Sequence, residues 1–391
     1  MRILTVGPTG VVAMQRVLYW MAERQEEVWV VDGDDRFRSL LPAGFHFSTF
    51  SLPRGAGRTQ QMLQRVGLGG VLERTIVAKM RRIADEFRPD VVHVHNIAML
   101  GVACAWAGIG PLVVSSWGAL SQSVASPDKP LYPATRQVLA AADVLIVDAP
   151  ALIEPIRPMT KSDARVEHVP MGADTHRFCP GRTPTALEWR SFFGIPDDAF
   201  VLLSPRSWAE FYGHQTILHA YVRAFPRMRK PTVLAFVGLG NGSQALPHMA
   251  TAWKEVEQTE AAHTVRWLPK IRYDEMHTLY VMADTVVNYP SRDSFPATLV
   301  EAAACKVPIV TALLPTYCGT FIETCAYLAE PNHPASLAEA MIEIVNQPSE
   351  ARAGRLNDAC QIVGREYDDR VIQDRLWRIY GDLASSGRAV P

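Results

Sequence analysis

An alternation along the chain constrains its fold more than any other feature. Short runs of largely β-branched apolar residues, Ile3–Val6, Val28–Val31, Val91–Val94, Leu112–Ser115 and Val144–Val147, alternate with stretches of helical spacing at about 13–24, 71–87 and 131–141. A run that is apolar at nearly every position suits a parallel strand buried on both faces. Strand, helix and strand in succession imply right-handed crossovers and a parallel sheet. The pattern then restarts with Phe200–Ser204, Thr232–Val237, Thr264–Trp267, Thr285–Tyr289, Ile309–Thr311 and Ala326–Leu328, separated by helices near 213–226, 247–258, 273–283, 296–304 and 335–346. The seam falls at Pro170–Pro180, where prolines and Gly172 interrupt the periodicity. A single core stops growing near roughly 250–300 residues, so 391 residues require more than one. The expected class is α/β, with two Rossmann-like domains over 1–172 and 173–368 and a cleft between them. A last amphipathic helix near 369–384, within the segment 369–391, has no strand after it.

Composition excludes several classes. With 48% hydrophobic and 20% charged residues the chain is globular rather than disordered, and a net charge of −1 gives no pull toward nucleic acid. Locally, residues 51–89 carry eight Arg/Lys against three acids. That segment is either a solvated helix face or a surface for peripheral contact with anionic lipid or an anionic acceptor. The six cysteines occur singly, with no zinc spacing, which fits buried thiols in a reducing compartment. Residues 97–114 are uncharged but broken by Gly101, Gly108, Gly110 and Pro111, so a helix over 97–107 and a buried strand at 111–115 are expected instead of a membrane span. Met1 to Val6 reads as a strand rather than a secretory leader, and the expected location is cytoplasmic.

The segment Asp293-Ser294-Phe295-Pro296-Ala297-Thr298-Leu299-Val300-Glu301 follows a strand and a Pro290-Ser291 turn. Pro296 suits the first turn of a helix, where its missing N–H is not needed. The free amides of Ala297 and Thr298, with the positive end of the dipole, would make a phosphate cradle. Glu301, one turn further in, could accept hydroxyl hydrogen bonds from a ribose, and Asp293 could accept from a sugar. The plain alternative is a capped helix with Glu301 as a surface charge.

Here the sequence resembles the family-4 retaining glycosyltransferases of the GT-B fold, whose hallmark is an acid, seven residues, then Glu. The resemblance runs along the chain. It includes Pro89-Asp90 through His93-Val94-His95, Val169-Pro170-Met171-Gly172-Ala173-Asp174 with Phe178 and Pro180, Phe236-Val237-Gly238-Leu239-Gly240, and Trp377-Arg378-Ile379-Tyr380. It departs at Asp293 (commonly Glu), Pro296 (often Gly) and Lys306 (usually Gly). The resemblance implies two facing domains with the final helix crossing back to brace the first.

It also implies roles. Arg206 would grip the donor diphosphate bidentately. Tyr212 stands where a lysine normally assists, and Lys270 or Arg272 could compensate. Gly10 and Thr9 of the first glycine turn would meet donor phosphates, unless the turn is a simple strand–helix connection. Trp117, where the family often has histidine, could stack on a sugar, and His95 could face the same site. The implied reaction is transfer of a hexose from a nucleotide sugar, UDP- or GDP-linked, to a sugar, lipid-linked or small-molecule hydroxyl. It proceeds with retention and without metal or other cofactor, through Arg206, Asp293 and His95. Competing readings are a nucleotide-sugar 2-epimerase of the same fold and a non-catalytic nucleotide-sugar-binding subunit. An oxidoreductase is disfavoured, since Gly238-x-Gly240 is followed by Ser243 where a third glycine belongs.

Overall fold

In a computed structural model, residues 1–50, 69–95, 99–115, 132–238 and 247–386 are described. The chain divides into two compact units, Met1–Pro170 with Gln373–Pro391, and Met171–Ile372.

The first unit contains strands β1 (Arg2–Val6), β2 (Glu27–Asp32), β3 (His46–Thr49), β4 (Val91–His95), β5 (Leu112–Ser115), β6 (Val144–Val147) and β7 (Arg165–His168). Its helices are α1 (Val12–Glu23), α2 (Gly69–Phe87), α3 (Met99–Ala107), α4 (Tyr132–Ala141) and the short α5 (Ile153–Ile156). The sheet order is β3-β2-β1-β4-β5-β6-β7, parallel throughout. The central strands β4, β5 and β6 are buried at every residue, which is why they were visible as unbroken apolar runs. The outermost strands β3 and β7 are exposed or half-buried at every position and carry a single apolar residue each, so no such run announces them.

The second unit contains β8 (Phe200–Ser204), β9 (Thr232–Val237), β10 (Val265–Leu268), β11 (Thr285–Asn288), β12 (Ile309–Ala312) and β13 (Tyr327–Ala329). Between and after them lie α6 (Pro184–Phe192), α7 (His214–Ala224), α8 (Pro247–Val256), α9 (Met276–Met282), α10 (Ala297–Ala304), α11 (Phe321–Cys325), α12 (Pro334–Asn346) and α13 (Ser349–Ile362). The order is β10-β9-β8-β11-β12-β13, again parallel. In both sheets the first strand of the unit neighbours the second on one side and the fourth on the other. That reversal is the place where loops splay apart and ligands bind in open α/β sheets. Helix α13 was not anticipated, because only Arg352 and Ala359 of its fourteen residues are buried and no apolar stripe marks it.

The last helix, α14 (Asp369–Ser385), belongs to the first unit from Gln373 onward. There the Tyr380 hydroxyl meets His93 Nδ1, Trp377 Nε1 donates to Glu26 at 2.9 Å, and the Arg24 guanidinium lies 4.7 Å from the Trp377 ring centre. Entry to and exit from the second unit lie side by side. Ala173 N donates to Tyr367 O at 2.9 Å, and Asp369 N to Ala173 O at 3.0 Å. A Cβ on Gly172 would come within 2.4 Å of the Tyr367 carbonyl oxygen, so glycine is needed there for close approach of the returning chain.

Candidate active site

In the second unit the strand order brings two distant loops together. Arg206 lies just past the end of β8 and Asp293 past the end of β11, and these strands are neighbours across the reversal. One guanidinium nitrogen of Arg206 donates to Asp293 Oδ2 at 3.0 Å, another to Thr298 Oγ1 at 3.1 Å. The Arg206 and Asp293 side chains are only 11% and 10% exposed. Burial works against the arginine's charge, but the Asp293 carboxylate, together with Tyr212, Tyr317 and Tyr280 beside it, outweighs it and holds the pKa above the ordinary value. The Tyr212 ring lies face-on to the same guanidinium, 3.9 Å from ring centre to Cζ. Arg206 Nε is buried without a hydrogen-bond partner. In the free chain, then, the two groups expected to serve different parts of the donor hold one another.

Asp293 is itself tightly placed. Its Oδ1 accepts from Ser294 N at 2.9 Å, Tyr317 O–H reaches Oδ2 at 3.4 Å, and its own carbonyl accepts from Thr316 Oγ1 at 2.9 Å. Thr316 and Tyr317 were not anticipated, since nothing local marks residues 23 and 24 positions downstream as neighbours. Phe295, expected among the donor contacts, is instead a core anchor. It is buried, stacks on Tyr367 at 5.2 Å and meets Phe321 edge-on. Ser294 is buried beside it. Pro296 is the N-cap of α10 rather than its first residue, and α10 has no side-chain cap and no acid in its first turn. The helix thus begins one position later than the proline suggested, with Ala297 and Thr298 as its first two residues.

Glu301 is buried, and its Oε2 accepts from Tyr280 O–H at 2.8 Å. It is not the surface charge of the plain alternative. Burial, then the Glu301 carboxylate, push the Tyr280 pKa well above its ordinary value, so its proton stays in that hydrogen bond. Tyr212 ends a short 3-10 turn, and Gly213 follows at φ +68° with no room for a Cβ, which would lie 2.3 Å from the Tyr289 carbonyl oxygen. His214 opens α7, buried and stacked on Trp208 at 4.2 Å, and burial lowers its pKa to about 4. The two cations suggested as substitutes for a lysine behave differently. Arg272 is clamped bidentately on Asp274, and Lys270 is exposed with no hydrogen bond or ion pair to the Arg206 cluster among the described residues.

In the first unit, Gly7 at the end of β1 packs on His95 at the end of β4, where a Cβ would fall 2.6 Å from the His95 carbonyl oxygen. Thr9 does not offer its hydroxyl outward. Both its N–H and its O–H donate to Asp32 Oδ2, at 2.7 and 2.5 Å, deep in the unit. Gly10 is exposed, and its missing side chain makes room for the Phe37 ring. His95 is buried against His93, ring centres 3.7 Å apart, and burial drops its pKa to about 3, so it is a neutral imidazole. His93 is the better anchored of the pair, through Tyr380 and Ser115 Oγ. Trp117 lies outside the described residues, as do Leu239, Gly240 and Ser243 and the 51–68 part of the basic segment. Within 69–89, Lys79 and Arg81 donate to main-chain carbonyls of Thr49, Ala107 and Trp106. No group of three or more potential metal ligands, and no helix long and apolar enough to cross a membrane, occurs among the described residues.

Known proteins supply the remaining context. The family description "Glycosyl transferase 4-like domain" matches residues 9–172, and "Glycosyl transferases group 1" matches 186–359. A D-inositol 3-phosphate glycosyltransferase 1 of Catenulispora acidiphila is 29% identical over 343 residues, 82% of this chain and 79% of that protein. A D-inositol 3-phosphate glycosyltransferase of Saccharomonospora viridis is 27% identical over 276 residues, 68% of this chain and 62% of that one. Among solved structures, the sucrose-phosphate synthase of Thermosynechococcus elongatus superposes with a TM-score of 0.75 at 15% identity, over 99% of this chain and 100% of that one. Anabaena HepE in complex with UDP gives 0.74 at 17% identity, over 98% and 100%. At such identities the solved structures speak for the fold alone.

Proposed function

We propose, from the premise that this chain belongs to the family-4 type of GT-B glycosyltransferases, that it moves a hexose from a UDP-linked donor to an acceptor hydroxyl with retention. The observation that carries this reading is the Arg206–Asp293–Thr298 cluster beside the uncapped start of α10. An entering diphosphate would be met by a guanidinium already desolvated and by the free amides of Ala297 and Thr298, so little reorganisation is needed as negative charge develops. Asp293, relieved of Arg206, would turn an acceptor oxygen to the sugar hydroxyls. Glu301, held by Tyr280, would take the ribose.

The acceptor oxygen bonds to the anomeric carbon as the bond to the β-phosphate oxygen breaks. The acceptor proton passes to that departing oxygen, and nucleoside diphosphate leaves. No covalent nucleophile from the chain is required. His95, being neutral and buried, would hydrogen-bond without changing charge. The names of the sequence relatives support cyclitol phosphates as the first acceptors to try.

The test is release of UDP from UDP-sugars across such a panel, with the donor alone as the control for epimerisation. Arg206→Ala should lower kcat/KM by about 10²–10³-fold, as expected for loss of a group that stabilises the leaving charge. Glu301→Ala should act chiefly on the donor KM. Equal losses in kcat and kcat/KM for Glu301→Ala, or an Arg206→Ala enzyme of ordinary rate, would overturn these roles.

A further inference from the structure

The opposite edge of the second sheet, where β11 and β12 begin, holds a cavity of about 240 Å³. Val281, Val307, Pro308 and Leu356 make its apolar floor, and Arg182, Lys306 and Arg352 bring positive charge to it. Arg352 is the unusual member. It is only 9% exposed, its Nε is buried without a hydrogen-bond partner, its Cζ lies 5.4 Å from the centre of the Phe200 ring, and it acts on Glu350 and Tyr327 through its charge. A guanidinium N–H so removed from water without an acceptor is costly unless something supplies one.

The acid in the lining cannot do so. Asp284 gives Oδ1 to Arg182 and Oδ2 to the fully buried Arg190, each at 2.6 Å, and Oδ2 also takes Val201 N at 2.9 Å. Glu350, exposed in the same turn as Arg352, accepts from Ser349 Oγ instead. Two helix ends meet at the cavity with opposed dipoles: the start of α13, at Ser349, has no side-chain cap, while the end of α10 is followed by Lys306. The two are of comparable size, so they roughly cancel and the side-chain charges decide the sign. Lys306 sits at φ +53°, a left-handed position that usually takes glycine, and its ammonium reaches Asn357 at 2.8 Å.

We propose that this cavity is an anion site for a small tetrahedral oxyanion of the phosphate class, held by Arg352, Lys306 and Arg182. Organic ligands typically occupy about 300–1,000 Å³, so the size favours the oxyanion itself over a nucleotide or sugar phosphate. The site is distinct from the Arg206 cluster, which lies beyond the other ends of the same strands. An ion here would rest against the last turn of α10, the helix that carries Glu301.

Titration calorimetry of the full chain with inorganic phosphate, at ionic strength held constant with chloride, tests this. One phosphate should bind per chain. Arg352→Gln should weaken it about tenfold or more, as expected for a lost charge-assisted hydrogen bond. The exposed Lys306→Gln, which leaves the interior untouched, should weaken it too, while Arg206→Ala should leave it unchanged. The proposal fails if no heat is seen at millimolar phosphate. It also fails if Arg206→Ala abolishes binding while Arg352→Gln and Lys306→Gln leave it intact, which would place the phosphate at the Arg206 cluster.

Discussion

Tyr212 occupies a position where a lysine would place a second cation beside Arg206. Its ring instead lies 3.9 Å from the guanidinium, and burial raises its pKa, so it stays a neutral phenol. The face of the ring stabilises the arginine in the absence of ligand. Tyr212→Lys removes that contact and sets like charges side by side, so the free chain should lose on the order of 1 kcal/mol. The rise in Tm on adding UDP should grow, because the second cation then finds a phosphate. A variant that melts higher when free, or gains no larger shift with UDP, contradicts this account. At this scale residue type and spacing pointed to Asp293 and Glu301, and the family resemblance pointed to Arg206. The sequence hid Tyr280, Thr316 and Tyr317, whose importance comes only from the partners that the fold brings to them. Nor did it reveal the core packing of the Phe295 ring on Tyr367 and Phe321, since a phenylalanine in a motif looks alike whether it touches a ligand or the core.

Among the elements, β4 ends in two histidines, their rings tilted against each other, that the interior keeps uncharged. Both pKa values are depressed by burial, His93 well below its ordinary value and His95 to about 3. Unfolding frees them to take protons below about pH 6.5. The unfolded state then binds more protons, so stability is level above that pH and falls as pH drops from 6.5 toward 3. Each histidine contributes a slope of up to about 1.4 kcal/mol per pH unit. Urea midpoints followed from pH 7 to 4.5 should decline, and a flat profile would show that the pair is not buried neutral. The strand itself was legible as an apolar run, whereas β3 and β7 were not, because an outer strand with every residue partly exposed carries no continuous hydrophobic signal. Helix α13 escaped notice for a similar reason, having only two buried residues.

Across the whole molecule, two parallel sheets were readable from the repeated strand–helix alternation. The third-second-first-fourth order was not, since nothing in a strand's own sequence names its neighbour. The final helix illustrates the difference. Its amphipathic pattern was plain, but its docking depends on Tyr380 finding His93, 287 positions earlier in the chain. Tyr380→Phe leaves a buried imidazole nitrogen without that partner and should cost about 1–3 kcal/mol, read as a lower urea midpoint. No change in the midpoint would mean that the helix is held by Trp377 and its apolar face alone.

The adjacency of Ala173 with Tyr367 and Asp369 has a consequence for biosynthesis. The second unit is an excursion that leaves the first and rejoins it with its two ends in register. All of its strands are made before Tyr380, so its sheet can assemble while the first still lacks its brace. With its ends already joined by main-chain hydrogen bonds, Met171–Ile372 is also the piece whose new termini would be least missed if the gene were rearranged to start within one of its surface loops.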